Sequence, residues 1–179
     1  MIREFSVRPK PSNNRARIIF SLSMSLALAL ILLSTFIPMY QGIVGLLGVA
    51  SLTIGLMIYT KYISPIYFYD ITFDSSSTPI LVVRQQIGKR YTTLCRISLA
   101  EIVKVEKENR KQRHEHKTAA GVIKYIYMPT LDPAESYRIT TSGRHERAEI
   151  LIESSDGFAE LLKSYSAEAR AMSDYNDEY

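Results

Sequence analysis

Tryptophan is missing from this 179-residue chain, cysteine occurs once, and no charged residue falls between Ile18 and Thr60. Each absence excludes something. A lone cysteine, Cys95, rules out an intramolecular disulfide and agrees with a reducing compartment. It lies in an alternating apolar pattern, with no histidine–asparagine or histidine–aspartate set beside it, so packing is expected rather than a thiol nucleophile. There is no Walker loop, no G-x-S-x-G elbow and no H-E-x-x-H helix. A noncatalytic role without a cofactor is therefore expected, and an enzyme with an unfamiliar site ranks last.

The uncharged run is long enough for two crossings of a bilayer, each needing roughly 20 apolar residues as helix. Ile18 to Met39 supplies one and Gly42 to Thr60 the other. Neither has the polar face that a core helix of a soluble protein would carry. Pro38 ends the first helix because it cannot donate to the ladder, and the short Tyr40-Gln41 tip makes the helices antiparallel. A cleaved signal peptide is disfavoured: Ser34 to Pro38 offers no small-residue cleavage site, and a second span follows at once. Arg3, Arg8, Lys10, Arg15 and Arg17 precede the first span and Lys61 closes the second. Positive flanks stay cytoplasmic, so a bacterial-type inner-membrane protein with both termini in the cytoplasm is expected. Tyr40, Tyr59 and Tyr62 suit the two membrane interfaces.

Small residues mark a packing face on each span. Ser21, Ser25 and Ala29 recur every fourth residue, and Gly45, Gly48, Ser51 and Gly55 share one sector of the second helix. Such faces let helix backbones approach closely in lipid. They are expected to meet each other inside the hairpin, leaving Ser23 and Ala27 pointing outward toward a membrane partner.

After Pro65 the apolar period changes to alternation. Strands are expected at Tyr67–Phe73, Ile80–Gln86, Tyr91–Ile97, Ile102–Glu108, Val122–Met128, Tyr137–Thr141 and Ala148–Ile152. Turn residues at Asp74 to Pro79, Gly88-Lys89 and Ser142-Gly143-Arg144 separate several of them. A charged loop is expected from Asn109 to Lys117. Phe158, Leu161, Leu162, Tyr165, Ala169 and Met172 then form one apolar helical stripe, started by Ser155 or Asp156 as cap. The organisation is thus a basic cytoplasmic tail (1–17), a transmembrane hairpin (18–62), one cytoplasmic domain (63–172) and a polar tail (173–179).

Two segments carry a family likeness. Arg96-Ile97-Ser98-Leu99-Ala100-Glu101-Ile102-Val103-Lys104-Val105 resembles the "I-(P/S)-L-x-(E/D)-I-x-x-V" corner of bacterial pleckstrin-homology-like proteins. Ser155-Asp156-Gly157-Phe158-Ala159-Glu160-Leu161-Leu162 resembles the capped start of their closing helix. The resemblance implies a mainly-β (α+β) fold, a seven-stranded partly open barrel capped by a C-terminal helix, after two N-terminal transmembrane helices. These motifs reflect core and corner packing and imply fold, not activity.

Acids and bases nearly cancel beyond Lys61, so no nucleic-acid partner is expected. The loop where inositide-binding relatives carry bases is here Asp74 to Thr78, with an acid and no base. Lys89 and Arg90 in the next turn, and Arg110, Lys111, Arg113 and Lys117 in the charged loop, are the candidates for anionic lipid headgroups or a protein partner, against the plainer reading of solvated charges. His114 and His116 form a His-x-His pair short of the three or four ligands zinc sites use, so no metal is expected. Glu106 and Glu108 read as surface, and Tyr67, Tyr69, Tyr125 and Tyr127 as core and barrel rim. The sequence supports a membrane-anchored binding or scaffold protein whose domain meets a protein partner or the lipid surface. The alternative is an accessory subunit of a transporter or envelope complex, docked through the hairpin.

Overall fold

The computed structural model describes residues 5–10, 13–74, 78–116, 118–142 and 147–177, with side chains up to Met172. Lys117, Arg3 and the turn at Gly143-Arg144, all singled out by sequence, lie outside the described residues. The chain forms two compact units. One comprises residues 11–65 and 129–131, the other 1–10, 66–128 and 132–179.

The first unit is a helical hairpin. Helix α1 (Asn14–Phe36) has 23 residues, about 35 Å at the α-helical rise. A short 3₁₀ turn (Pro38–Tyr40) reverses the chain into α2 (Gln41–Ile58), which widens into a π turn over Tyr59–Ile63. Both helices are long and apolar enough to cross a membrane. Outward-facing polar side chains bond within their own helix: Thr35 donates to Leu32 O, Thr53 to Val49 O and Thr60 to Leu56 O. Such back-bonding satisfies these three hydroxyls within the helix. At the open end, Asn13 Nδ2 donates to Tyr62 O at 2.6 Å and joins the hairpin's entrance to its exit.

The second unit holds two four-stranded sheets and a long helix. Sheet A runs β1 (Phe5–Val7), β2 (Ile66–Phe73), β3 (Pro79–Ile87) and β4 (Arg90–Ser98), all antiparallel. Sheet B contains β5 (Ile102–Asn109), β6 (Val122–Tyr127), β7 (Glu135–Ser142) and β8 (Arg147–Ile152), in the order β5-β7-β8-β6. The β6–β8 pair is parallel; the others are antiparallel. Alternate residues of both sheets meet in the core, among them Tyr69, Ile71, Leu81, Val83, Ile139 and Ile150. Period two puts these side chains on one face of each strand.

Between the sheets the chain turns a 3₁₀ corner at Leu99–Glu101, where Ser98 Oγ accepts from Ala100 N. Helix α4 (Asp156–Asp177) packs on this corner and on β5. Ser155 Oγ accepts from Phe158 N at its start, and Phe158, Ala159, Leu162 and Ala169 enter the core. The Tyr69 hydroxyl joins the sheets, donating to Tyr127 O at 2.6 Å and accepting from Glu153 N at 3.3 Å.

Three features depart from expectation. Among the described residues there are eight strands, and the additional one, β1, comes from the segment expected to be a basic tail. No ladder joins the two sheets among the described residues, so the barrel is not closed. The charged loop is partly helical: α3 (Arg110–Glu115) starts in a capping box, with Asn109 Oδ1 accepting from Gln112 N and Gln112 Oε1 from Asn109 N.

Candidate functional site

The hairpin seam is built from hydroxyls and glycines. Ser23 Oγ donates to Ser51 O at 2.5 Å, and Ser51 Oγ donates to Ser23 O at 3.0 Å. A Cβ on Gly48 would stand 3.0 Å from Ile31 Cγ1 and 3.4 Å from Ala27 O; one on Gly55 would stand 3.1 Å from Ser23 Oγ. Gly48, Ser51 and Gly55 therefore lie at the contact, and Gly45 is half-buried beside it. On α1 the contact residues are Ala16, Ser23, Ala27 and Ser34, spaced seven, four and seven. Ser21, Ser25 and Ala29 are exposed, contrary to expectation. Both faces of α1 carry small residues, and the heptad-like spacing, which keeps a seam in register, marks the one that packs.

The second unit offers three candidate surfaces. At the first, Gly88 with φ +60° opens a two-residue turn between β3 and β4, with Ile87 paired to Arg90. Glycine at this position suits a tight hairpin turn. Ile87, Lys89, Arg90 and Tyr91 are all exposed.

Helix α3 is the second. Its bases are engaged. Arg110 meets Asp132 at 2.5 Å; Arg113, nearly buried, donates to Asp132 Oδ1, Pro133 O and Ser136 Oγ. Lys111 is exposed, 3.9 Å from Glu115. His114 approaches Asp132 at 3.9 Å while His116 meets Glu149 at 3.1 Å, so the two imidazoles serve different carboxylates. Beneath α3, Arg138 is 3% exposed and contacts Glu108 at 2.6 Å. Glu108 is thus buried, not on the surface as expected, because it faces β7 under α3. A polar cleft of about 390 Å³ opens here, lined by Glu106, Glu108, Glu115, His116 and Arg138.

The third surface is a cleft of about 340 Å³ between the free edges of β4 and β6. Leu94, Cys95, Ile97, Tyr125, Tyr127 and Ile150 line it, together with the polar Arg96, Glu101 and Thr141. The Tyr125 and Tyr127 rings stack 6.0 Å apart, and Ile123, Tyr125 and Ile126 on β6 are exposed. Burial pushes the Cys95 thiol up and the Tyr127 phenol up to about 12, which keeps both protonated at neutral pH. This cleft supplies hydrophobic and polar contact beside two edge strands. Sequence periodicity located the strands, but the parallel β6–β8 pairing that leaves β6 at an edge carries no local sequence signal.

Compared with protein-family models and with curated proteins, the chain matches none.

Proposed function

We propose that this chain is a membrane-anchored, noncatalytic binding protein. Its hairpin crosses a bacterial-type inner membrane, and its pleckstrin-homology-like domain, on the cytoplasmic side, takes an extended segment of a protein partner at the β4–β6 cleft. One observation carries the anchoring: the two strands that flank the hairpin in sequence, β1 and β2, are neighbours in one sheet, with Val7 opposite Tyr69. Both flanks then lie on one side of the membrane. The basic flanks make that side cytoplasmic.

Supporting the family likeness are two packed sheets, the Leu99–Glu101 corner and the helix seated on it. The parallel β6–β8 pair and the added β1 are this chain's departures from the seven-stranded pattern. Two strand edges without a ladder partner among the described residues, beside a cleft of aromatic, aliphatic and polar side chains, suit strand addition, in which backbone bonds give affinity and side-chain pockets give selectivity. A photoreactive side chain at Tyr125, in membranes of the native host, tests this reading. A discrete protein adduct absent with the probe at Lys163 supports it; adducts equal at both positions, or none, contradict it.

A second reading draws on the exposed Ser21, Ser25 and Ala29. As a small-residue stripe facing lipid, they suit docking of another membrane helix by an accessory subunit. Partners lost on Ser25→Leu and retained with β6 altered favour this reading over the first.

A further inference from the structure

We propose that the β3–β4 turn, Ile87 to Tyr91, rests on the anionic lipid surface of the membrane that the hairpin crosses. Ile87 and Tyr91 enter the headgroup layer, and Lys89 and Arg90 meet lipid phosphate. This rests on the membrane-spanning reading of α1 and α2.

The sheet register places the turn. The chain leaves sheet A after Val7 for the hairpin and re-enters it at Ile66. Ile66 pairs with Gln86, Gln86 with Tyr91, and Ile87 with Arg90. The end of sheet A joined to the hairpin is therefore also the end that carries this turn. Three residues from Ile63 to Ile66 span at most about 10 Å, and neighbouring strands lie about 4.8 Å apart. The turn therefore lies at the end of sheet A that the chain enters from the hairpin, after a connection only three residues long. The Asp74 and Thr78 connection, where inositide-binding relatives place bases, closes the opposite end of the same strands.

Composition agrees with position. The turn itself carries two bases, Lys89 and Arg90, and no acid; Arg84 is paired with Asp70, and Arg96 lies opposite Val82 toward the other end of the strands. Among the described residues no carboxylate pairs with Lys89 or Arg90, whereas Arg110 and Arg113 share Asp132. Ile87 is 50% exposed and Tyr91 60% exposed, an apolar and an aromatic side chain at a turn tip. Phe68 lies 5.9 Å from the Tyr91 ring, and the Arg8 guanidinium lies 6.0 Å over Phe68. Aromatic rings interleaved with bases are the chemistry of the lipid headgroup layer.

Full-length protein carrying Cys95→Ser tests the proposal in vesicles of phosphatidylcholine with or without phosphatidylglycerol. An environment-sensitive thiol dye is attached at Ile87→Cys, at Asp74→Cys or at Leu32→Cys, and quenching by brominated lipid is measured. Strong quenching at positions 32 and 87 but not 74 is expected, increased by phosphatidylglycerol. Neutralising Lys89 and Arg90 to Gln lowers the docking equilibrium by about fivefold per base. Quenching at 32 but not 87 overturns the turn contact and leaves the membrane reading standing. No quenching at 32 overturns the membrane reading itself. Quenching at 87 that ignores both phosphatidylglycerol and the Gln substitutions overturns the phosphate contact.

Discussion

Ser23 and Ser51 exchange hydrogen bonds across the hairpin, each hydroxyl donating to the other's main-chain carbonyl, at 2.5 and 3.0 Å. In a segment without charge this pair fixes the register of α1 against α2, because each bond needs the other helix at one height. Interhelical bonds in membranes contribute about 0.6 kcal/mol each. Ser23→Ala and Ser51→Ala are each expected to lower hairpin stability by about that amount. Ser21→Ala and Ser25→Ala, on the outward face, are expected to leave it unchanged. Unfolding of the detergent-solubilised protein, followed by helix signal, compares the four.

Gly48 is more demanding. A methyl there already crowds Ile31 and the Ala27 carbonyl. Gly48→Leu is expected to separate the helices and abolish crosslinking between cysteines placed at positions 23 and 51 in a Cys95→Ser background. Gly42→Leu, where a Cβ meets nothing within 4 Å, is expected to leave the crosslink intact.

Asp132 holds α3 by accepting from Arg110 and Arg113. Removing it strands the nearly buried Arg113 guanidinium with only neutral acceptors. Asp132→Ala is expected to destabilise the two-sheet unit by about 3 kcal/mol, as for one partner taken from a buried pair. Lys111→Ala, at an exposed position, is expected to change stability by less than about 0.5 kcal/mol. Chemical denaturation of the full chain distinguishes them.

Tyr137, Asp156 and Lys107 form a chain at the start of α4. The Tyr137 hydroxyl donates to Asp156, and Lys107 Nζ meets Asp156 at 2.9 Å and Glu135 at 2.8 Å. Tyr137 and then Lys107 hold the Asp156 carboxyl below its ordinary 3.8. A depressed carboxylate stabilises the fold above its unfolded value, and that contribution disappears as pH falls through the folded value. Burial and then Asp156 push the Tyr137 phenol up to about 12. Its contribution is complete below the ordinary value near 10 and is lost as pH rises through about 12. Unfolding midpoints against pH are expected to fall at both extremes. Asp156→Asn should flatten the acid fall, and Tyr137→Phe should reduce the alkaline fall without removing it, since Tyr69 and Tyr127 are raised as well.

What could be read from the sequence follows from the range over which each signal acts. The uncharged run and the apolar alternation from Tyr67 to Ile152 report local geometry, and their helices and strands lie close to where periodicity puts them. Strand β1 has only Phe5-Ser6-Val7, too short for a period, and its partner β2 follows the whole hairpin. Helix α3 had a readable start in Asn109 and Gln112, obscured by the charges between and after them. Glu108 alternates like a surface residue; its burial depends on Arg138, thirty positions later in another strand. Choosing Ser23 over Ser21 required knowing which residue of α2 stands opposite. Lys89 and Arg90 were visible as turn charges, but their place at the hairpin end of sheet A comes from register alone.

The proposed topology puts both flanks of the hairpin, and with them the domain, on the cytoplasmic face. Single cysteines at Lys10, Gln41 and Glu160, in a Cys95→Ser background, can be treated in spheroplasts with a membrane-impermeant thiol reagent. Labelling of Gln41→Cys in intact spheroplasts, with Lys10→Cys and Glu160→Cys labelled only after lysis, is the expected result. Labelling of position 10 or 160 before lysis would contradict it.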